Sequence, residues 1–143
     1  MTIKRPRRAK KKRFHTGTYV STKTGKSMVY RSSWELEFME YLDADDTVTS
    51  YSYESVIVPY RRSLRSIRIS KYIVDFRVEY NTGVTTLYEI KSSSFVNRRV
   101  NLAKFSACRT YCTQHGWQFS VLTEVELRAM GLLKRKALGT LQS

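Results

Sequence analysis

The run from Lys71 to Lys91, KYIVDFRVEY, NTG, VTTLYEIK, constrains the fold more than any other stretch because it has the make-up of a β-hairpin. Both arms are rich in β-branched and aromatic residues, and the connection Asn81-Thr82-Gly83 offers a glycine for the left-handed position of a three-residue loop. Pairing Tyr80 with Val84 then sets Asp75 opposite Glu89 on one face. A slip of one residue would set Glu89 against Phe76 and mix apolar with polar side chains, which the two-residue period of a strand penalises. The expected polar face carries Asp75, Glu89 and, two residues further on, Lys91. The expected apolar face carries Tyr72, Val74, Phe76, Val78, Tyr88 and Ile90 toward the core.

Carboxylates facing each other across a hairpin repel, so the pair needs a compensating partner. One solution is ion pairing with Lys91 or Arg77, and composition alone favours it. Another is a hard cation: Mg²⁺ takes one or two carboxylates and completes its shell with water and phosphate oxygens.

The charge of the whole chain bears on that choice. Formal net charge is +14 over 143 residues, with a pI near 10.0, which implies a polyanionic partner, nucleic acid before membrane. Eight of the 26 basic residues precede Phe14 with no acid among them. Residues 1–13, ending in Lys10, Lys11, Lys12 and Arg13, are therefore expected to be a disordered tail that meets phosphates, and residues 14–143 one domain. A hydrophobic content of 41% suffices for a core. No apolar run reaches membrane-spanning length and no signal-peptide pattern follows the basic start, so the chain is expected to be soluble and cytosolic.

Cys108 and Cys112 lie four apart in a helical pattern with His115 nearby. A zinc site would need ligands that no second Cys/His pair supplies, so both are expected to be buried thiols. Gly25-Lys26-Ser27 does not end a phosphate-binding loop, because Val20 stands where the first glycine is required.

Along the chain, Thr16 to Tyr30 alternates as a short hairpin, and Arg31 to Asp43 is expected to be a helix starting at Ser32 or Ser33. Glu35 falls inside its apolar stripe, whereas Glu37 and Glu40 project away. Glu35 suits either an inward site acid or a capping box, Ser32-x-x-Glu35, that returns to the Ser32 amide. Val48 to Tyr60 offers a strand, expected at Ser55 to Val58 and closed by Pro59. The following link crowds Arg61, Arg62, Arg65 and Arg68, a density that suits either a solvated loop or a grip on a DNA backbone. Asn97 to His115 is expected as a helix ended by Gly116, with Lys104 as an edge residue among its buried positions. Trp117 to Leu122 alternates as a strand that should return parallel to the second hairpin arm. Thr123-x-x-Glu126 caps a short helix that Gly131 ends.

The Val74-Asp75 and Glu89-Ile90-Lys91 elements resemble the signature of the PD-(D/E)XK, restriction-endonuclease-like nucleases. Tyr30 to Glu35, Val58-Pro59-Tyr60, Tyr72-x-Val74-Asp75-Phe76 and Leu122-Thr123-Glu124-x-Glu126-Leu127 add to the likeness. Together they are similar to TnsA-type transposon endonucleases and to small bacteriophage head-completion nucleases, over about residues 28 to 128. Val74 departs from the commoner proline at a position that supplies no ligand. The resemblance implies an α/β fold with a mixed sheet of four or five strands flanked by helices. It implies a Mg²⁺-dependent DNA endonuclease, with Mn²⁺ as a substitute ion. Asp75, Glu89 and the Ile90 carbonyl would hold the metal, Lys91 would serve the attacking water, and Glu35 would complete the site. For a phage protein it implies double-stranded DNA and portal or neck proteins as partners, at the virion head or neck. A non-catalytic neck adaptor on the same fold, a transposon end-cutting enzyme and a junction-resolving enzyme are the alternatives.

Overall fold

The computed structural model describes residues 16–134; the basic run through Lys10, Lys11, Lys12 and Arg13 and the carboxyl terminus from residue 135 lie outside them. Two short strands, β1 (Gly17–Val20) and β2 (Ser27–Tyr30), pair antiparallel as a separate two-stranded sheet. Helix α1 (Ser33–Ala44) follows, with Ser32 as its N-cap: the Ser32 hydroxyl accepts the Glu35 N–H at 3.2 Å. The main sheet comprises β3 (Val48–Tyr60), β4 (Ser70–Tyr80), β5 (Thr85–Ile90) and β6 (Gln118–Leu122), in the order β3-β4-β5-β6. Between β5 and β6 run the short α2 (Ser93–Val96) and the long α3 (Arg99–His115), and α4 (Glu124–Ala129) ends the described chain. β5 and β6 are parallel and the other pairs antiparallel, which is the mixed α/β architecture of the restriction-endonuclease-like fold.

The hairpin adopts the register that its loop dictates. Phe76 pairs with Tyr88 and Val78 with Thr86. Tyr80 N–H donates to the Val84 carbonyl at 2.9 Å, and Gly83 takes the left-handed conformation at φ 86°. Helix α3 likewise ends at Gly116 with φ 71°, and α4 starts with a full capping box built by Thr123 and Glu126.

β3 differs from expectation. It fills the whole stretch Val48–Tyr60, thirteen residues rather than the four from Ser55 to Val58, and runs through Pro59 instead of stopping before it. Because β3 is an edge strand of the sheet, the missing proline N–H breaks no ladder on its open side. Between the pairs Tyr53–Phe76 and Val56–Val74, β3 advances one residue more than β4, and Glu54 sits in this bulge at φ 54°. The β4 residue opposite the bulge is Asp75, so the local bend re-aims the ribbon where that carboxylate emerges. The backbone sets the expected mutational pattern. Glu54→Gly should keep the bulge, while Glu54→Ile should cost about 1–2 kcal/mol more, as a left-handed β-branched residue does; urea midpoints of the two variants test this.

The core divides into two clusters. Phe38, Met39 and Leu42 of α1 pack with Tyr51, Phe76, Val78, Ile90 and Leu127, and the Phe38 and Phe76 rings meet edge to face at 5.0 Å. Phe105, Cys108 and Cys112 of α3 pack with Val56, Val58, Tyr72, Val74 and Leu87. The apolar face expected from alternation is buried, with Tyr72, Val74, Phe76, Val78 and Ile90 all in the core. Leu87, on the face assigned to polar residues, is fully buried, and Tyr72 and Val74 join a different cluster from Phe76 and Val78. Helix α3 covers ground that a two-residue period leaves open to solvent. Cys108 and Cys112 are free, buried thiols, and burial pushes both up from the usual thiol range. His115 stacks on Tyr111 at 4.1 Å.

Candidate active site

Regular pairing between β4 and β5 gives way beyond Phe76–Tyr88, while β5 stays paired to β6 as far as Ile90 and Leu122. In the gap the acid side chains replace the ladder. The Asp75 N–H donates to Glu89 Oε1 at 3.3 Å, and the Ile90 N–H donates to Asp75 Oδ2 at 2.9 Å. These bonds hold both carboxylates facing each other and occupy one oxygen of each. Asp75 Oδ1 and Glu89 Oε2 are left for another partner, and Lys91 Nζ stands 3.7 Å from Glu89 Oε2. The ion-pair alternative is weak in this geometry: that contact is long, and Arg77 pairs instead with Glu79 at 2.9 Å and lies over the Trp117 ring at 4.6 Å.

Burial makes the pair costly. Glu89 is 5% exposed, and desolvation raises its pKa against the pull of the Tyr72 hydroxyl first and then of Lys91. Asp75 is raised well above the carboxylate range by burial first, then by the charges of Glu89 and Glu35. A buried glutamate and a half-buried aspartate, each with one oxygen outside the bonds to the backbone, form a donor set that a divalent cation would relieve. Among the described residues no three His, Cys, Asp or Glu side chains converge tightly enough to hold a metal by themselves, so the chain offers two carboxylates rather than a closed cage. The residues fit an ion that keeps water or phosphate in its shell.

Glu35 is only 7% exposed, in the first turn of α1, and points inward as its helical phase implies. Its carboxylate does not return to the Ser32 amide. Glu35 Oε1 accepts the Arg31 N–H at 2.6 Å and the Tyr53 hydroxyl at 3.0 Å, while burial holds its pKa up. The Arg31 guanidinium in turn makes a two-pronged contact with the bulge residue, Nε to Glu54 Oε2 at 3.1 Å and a terminal nitrogen to Oε1 at 3.2 Å. Glu35 and the bulge opposite Asp75 are thus tied through one arginine.

Two further residues belong to this neighbourhood. Tyr72, 2% exposed, sets its hydroxyl close to the Glu89 carboxylate, and the Lys104 ammonium lies 5.6 Å from the Tyr72 ring centroid. Tyr53 was concealed in the sequence because the strand carrying it was expected to begin at Ser55. Lys104 was visible but indistinguishable from an edge lysine until α3 was seated.

Arg61, Arg62, Arg65 and Arg68 are exposed on the connection between β3 and β4. The first three border, with Arg99, a groove of about 900 Å³ whose floor is the small-residue side of α3 at Ala103 and Ala107. No described helix is long and apolar enough to cross a membrane.

Among known proteins, the family described as TnsA-like endonuclease N terminal matches residues 45–124, more than half of the chain and the segment that contains Asp75, Glu89 and Lys91. The head completion nuclease of Enterobacteria phage T4 is 27% identical over 128 residues, covering 74% of this chain and 85% of that protein.

Proposed function

The chain belongs to the TnsA-like endonuclease family, and from that premise we propose that it is a Mg²⁺-dependent DNA endonuclease that hydrolyses phosphodiester bonds. The observation that carries this reading is the facing pair Asp75 and Glu89, each of which keeps one oxygen outside its bond to the backbone, with Lys91 alongside Glu89. Asp75, Glu89 and the Ile90 carbonyl would hold the ion, and Mn²⁺ would substitute for Mg²⁺. A divalent ion there would polarise the phosphoryl oxygen and make water acidic enough to attack, so no histidine base is needed.

The remaining chemistry belongs to the chain. Lys91 positions the attacking water or takes its proton, and its charge offsets the negative charge that grows on the phosphoryl oxygens as one P–O ester bond breaks. Glu35, held by Arg31 and Tyr53, completes the outer part of the site or assists a second ion. Arg61, Arg62, Arg65 and Arg68, together with Lys10, Lys11, Lys12 and Arg13, grip the phosphates of double-stranded DNA. Residues 14–143 act as one nuclease domain behind a basic DNA-binding tail. Likeness to a head completion nuclease supports a role in finishing packaged DNA at the head or neck of a phage particle, with portal or neck proteins as partners.

Nicking of supercoiled plasmid tests the central claim. Mg²⁺ or Mn²⁺ should support cleavage, chelation should stop it, and a protein free of contaminants that never nicks under any divalent ion sinks the reading. Binding gives a separate check. Changing Arg61, Arg62, Arg65 and Arg68 together to serine should flatten the salt dependence of duplex affinity, by about 0.9 in the log–log slope for each phosphate no longer neutralised. An unchanged slope would remove this loop from the DNA interface.

A further inference from the structure

A pocket of about 540 Å³ opens beside Lys91, and neither Asp75 nor Glu89 lines it. Its walls come from four elements: Trp34 from α1, Lys91 from the end of β5, Phe95 from α2, and Glu124 and Arg128 from α4. The walls are pinned rather than loose. Glu124 accepts the Ser93 N–H at 2.8 Å and the Ser93 hydroxyl at 2.7 Å, tying α4 to the start of α2. The buried Asn101 donates to the Phe95 carbonyl at 2.8 Å and fixes the other end of α2.

The chemistry of the lining narrows the occupant. With both Glu124 oxygens engaged by Ser93, no carboxylate of the described residues pairs with Arg128, which is exposed at the rim. Lys91 is only loosely paired, so the pocket presents two cations. An inorganic anion would leave the two aromatic side chains and most of the volume unused, and an apolar ligand would leave the cations unused. A deoxynucleotide uses both, since sequence-tolerant binding of single nucleotides combines aromatic contact with the base and cationic contact with the phosphate.

We propose that this pocket is a nucleotide subsite, which receives one unstacked nucleotide of the strand whose scissile phosphate lies against Lys91. The base rests on Trp34 and Phe95, and the phosphate flanking it rests on Arg128. The inference depends on the endonuclease reading, and it adds that the enzyme draws a single nucleotide out of the base stack next to the bond it cuts.

The first test needs neither metal nor cleavage. Trp117→Phe leaves Trp34 as the sole tryptophan, and this variant is titrated with deoxyadenosine monophosphate while Trp34 fluorescence is followed. Saturable quenching is expected. Phe95→Ala and Arg128→Gln should each weaken it roughly fivefold or more, with circular dichroism unchanged. Deoxyadenosine without phosphate and inorganic phosphate without the base should each bind at least about tenfold more weakly than the nucleotide. Absence of quenching by millimolar nucleotide overturns the proposal, as does binding of phosphate as tight as that of the nucleotide or indifference to both variants. A second measurement uses a duplex with 2-aminopurine stepped through the positions around the cut, in Ca²⁺. A fluorescence change at one position, lost in Phe95→Ala, is expected; a uniform response along the duplex rejects the subsite. If the wild type never cleaves but the nucleotide binds as described, the catalytic reading fails and the subsite stands.

Discussion

Lys91→Ala should yield a folded protein that no longer cuts DNA. The Lys91 side chain is about one-quarter exposed and its nearest carboxylate contact is 3.7 Å, so its removal opens no cavity in either cluster. The stability change should stay within about 1 kcal/mol, as for other substitutions outside the core. The rate should fall by roughly a hundredfold or more, the usual consequence of losing one preorganised group aimed at developing charge. DNA affinity should barely move, since this lysine is one of 26 basic residues. Single-turnover nicking, a urea melt and a filter-binding curve on the same preparation separate these effects. If the variant nicks plasmid at the wild-type rate, Lys91 is not in the reaction. If the protein serves a phage, the variant should assemble particles that are defective in their DNA. Full infectivity of an Asp75→Ala, Lys91→Ala double variant would instead show that the fold alone is used.

Asp75→Asn should abolish cleavage for a different reason, and the metal-free protein should not suffer for it. The amide oxygen can still accept the Ile90 N–H, which Asp75 Oδ2 accepts at 2.9 Å in the wild type, so the local geometry survives. One of two mutually repelling buried carboxylates disappears. Melting without divalent ions should therefore be unchanged or shifted upward, by up to about 1 kcal/mol, the scale of a like-charge cross-strand pair. The wild type should gain stability from Mn²⁺, about 2.7 kcal/mol at a hundredfold excess over its dissociation constant, and the variant should lose most of that gain. Thermal melts with and without Mn²⁺ decide the matter. A variant that melts well below wild type without metal, yet responds to Mn²⁺ as wild type does, would mean that Asp75 is a structural acceptor and not a ligand.

Much of the site was legible before any tertiary contact was known, because local rules determine it. A three-residue loop ending in Gly83 admits one register, and that register sets Asp75 facing Glu89 with Lys91 next on the strand. Helical phase turns Glu35 inward, and a strand, a long helix and a second alternating strand make the parallel β5–β6 pair. The family match spans residues 45–124, the stretch that contains Asp75, Glu89 and Lys91, while the helical Glu35 lies upstream of it.

Other features depended on partners far along the chain. Alternation alone did not set how deeply the polar side of the hairpin is covered: α3 seats Phe105 and Cys108 with Leu87 and Tyr72, and burial raises the pKa of both acids. The thirteen-residue reach of β3, the bulge at Glu54 and the arginine that ties it to the Glu35 segment follow from long-range pairing with β4 and packing of α1. Periodicity and turn chemistry report what a segment does with its own neighbours, within a few residues. Burial, and therefore the energy of a charge, is set by whichever distant element closes over it, and that is decided only when the chain is packed.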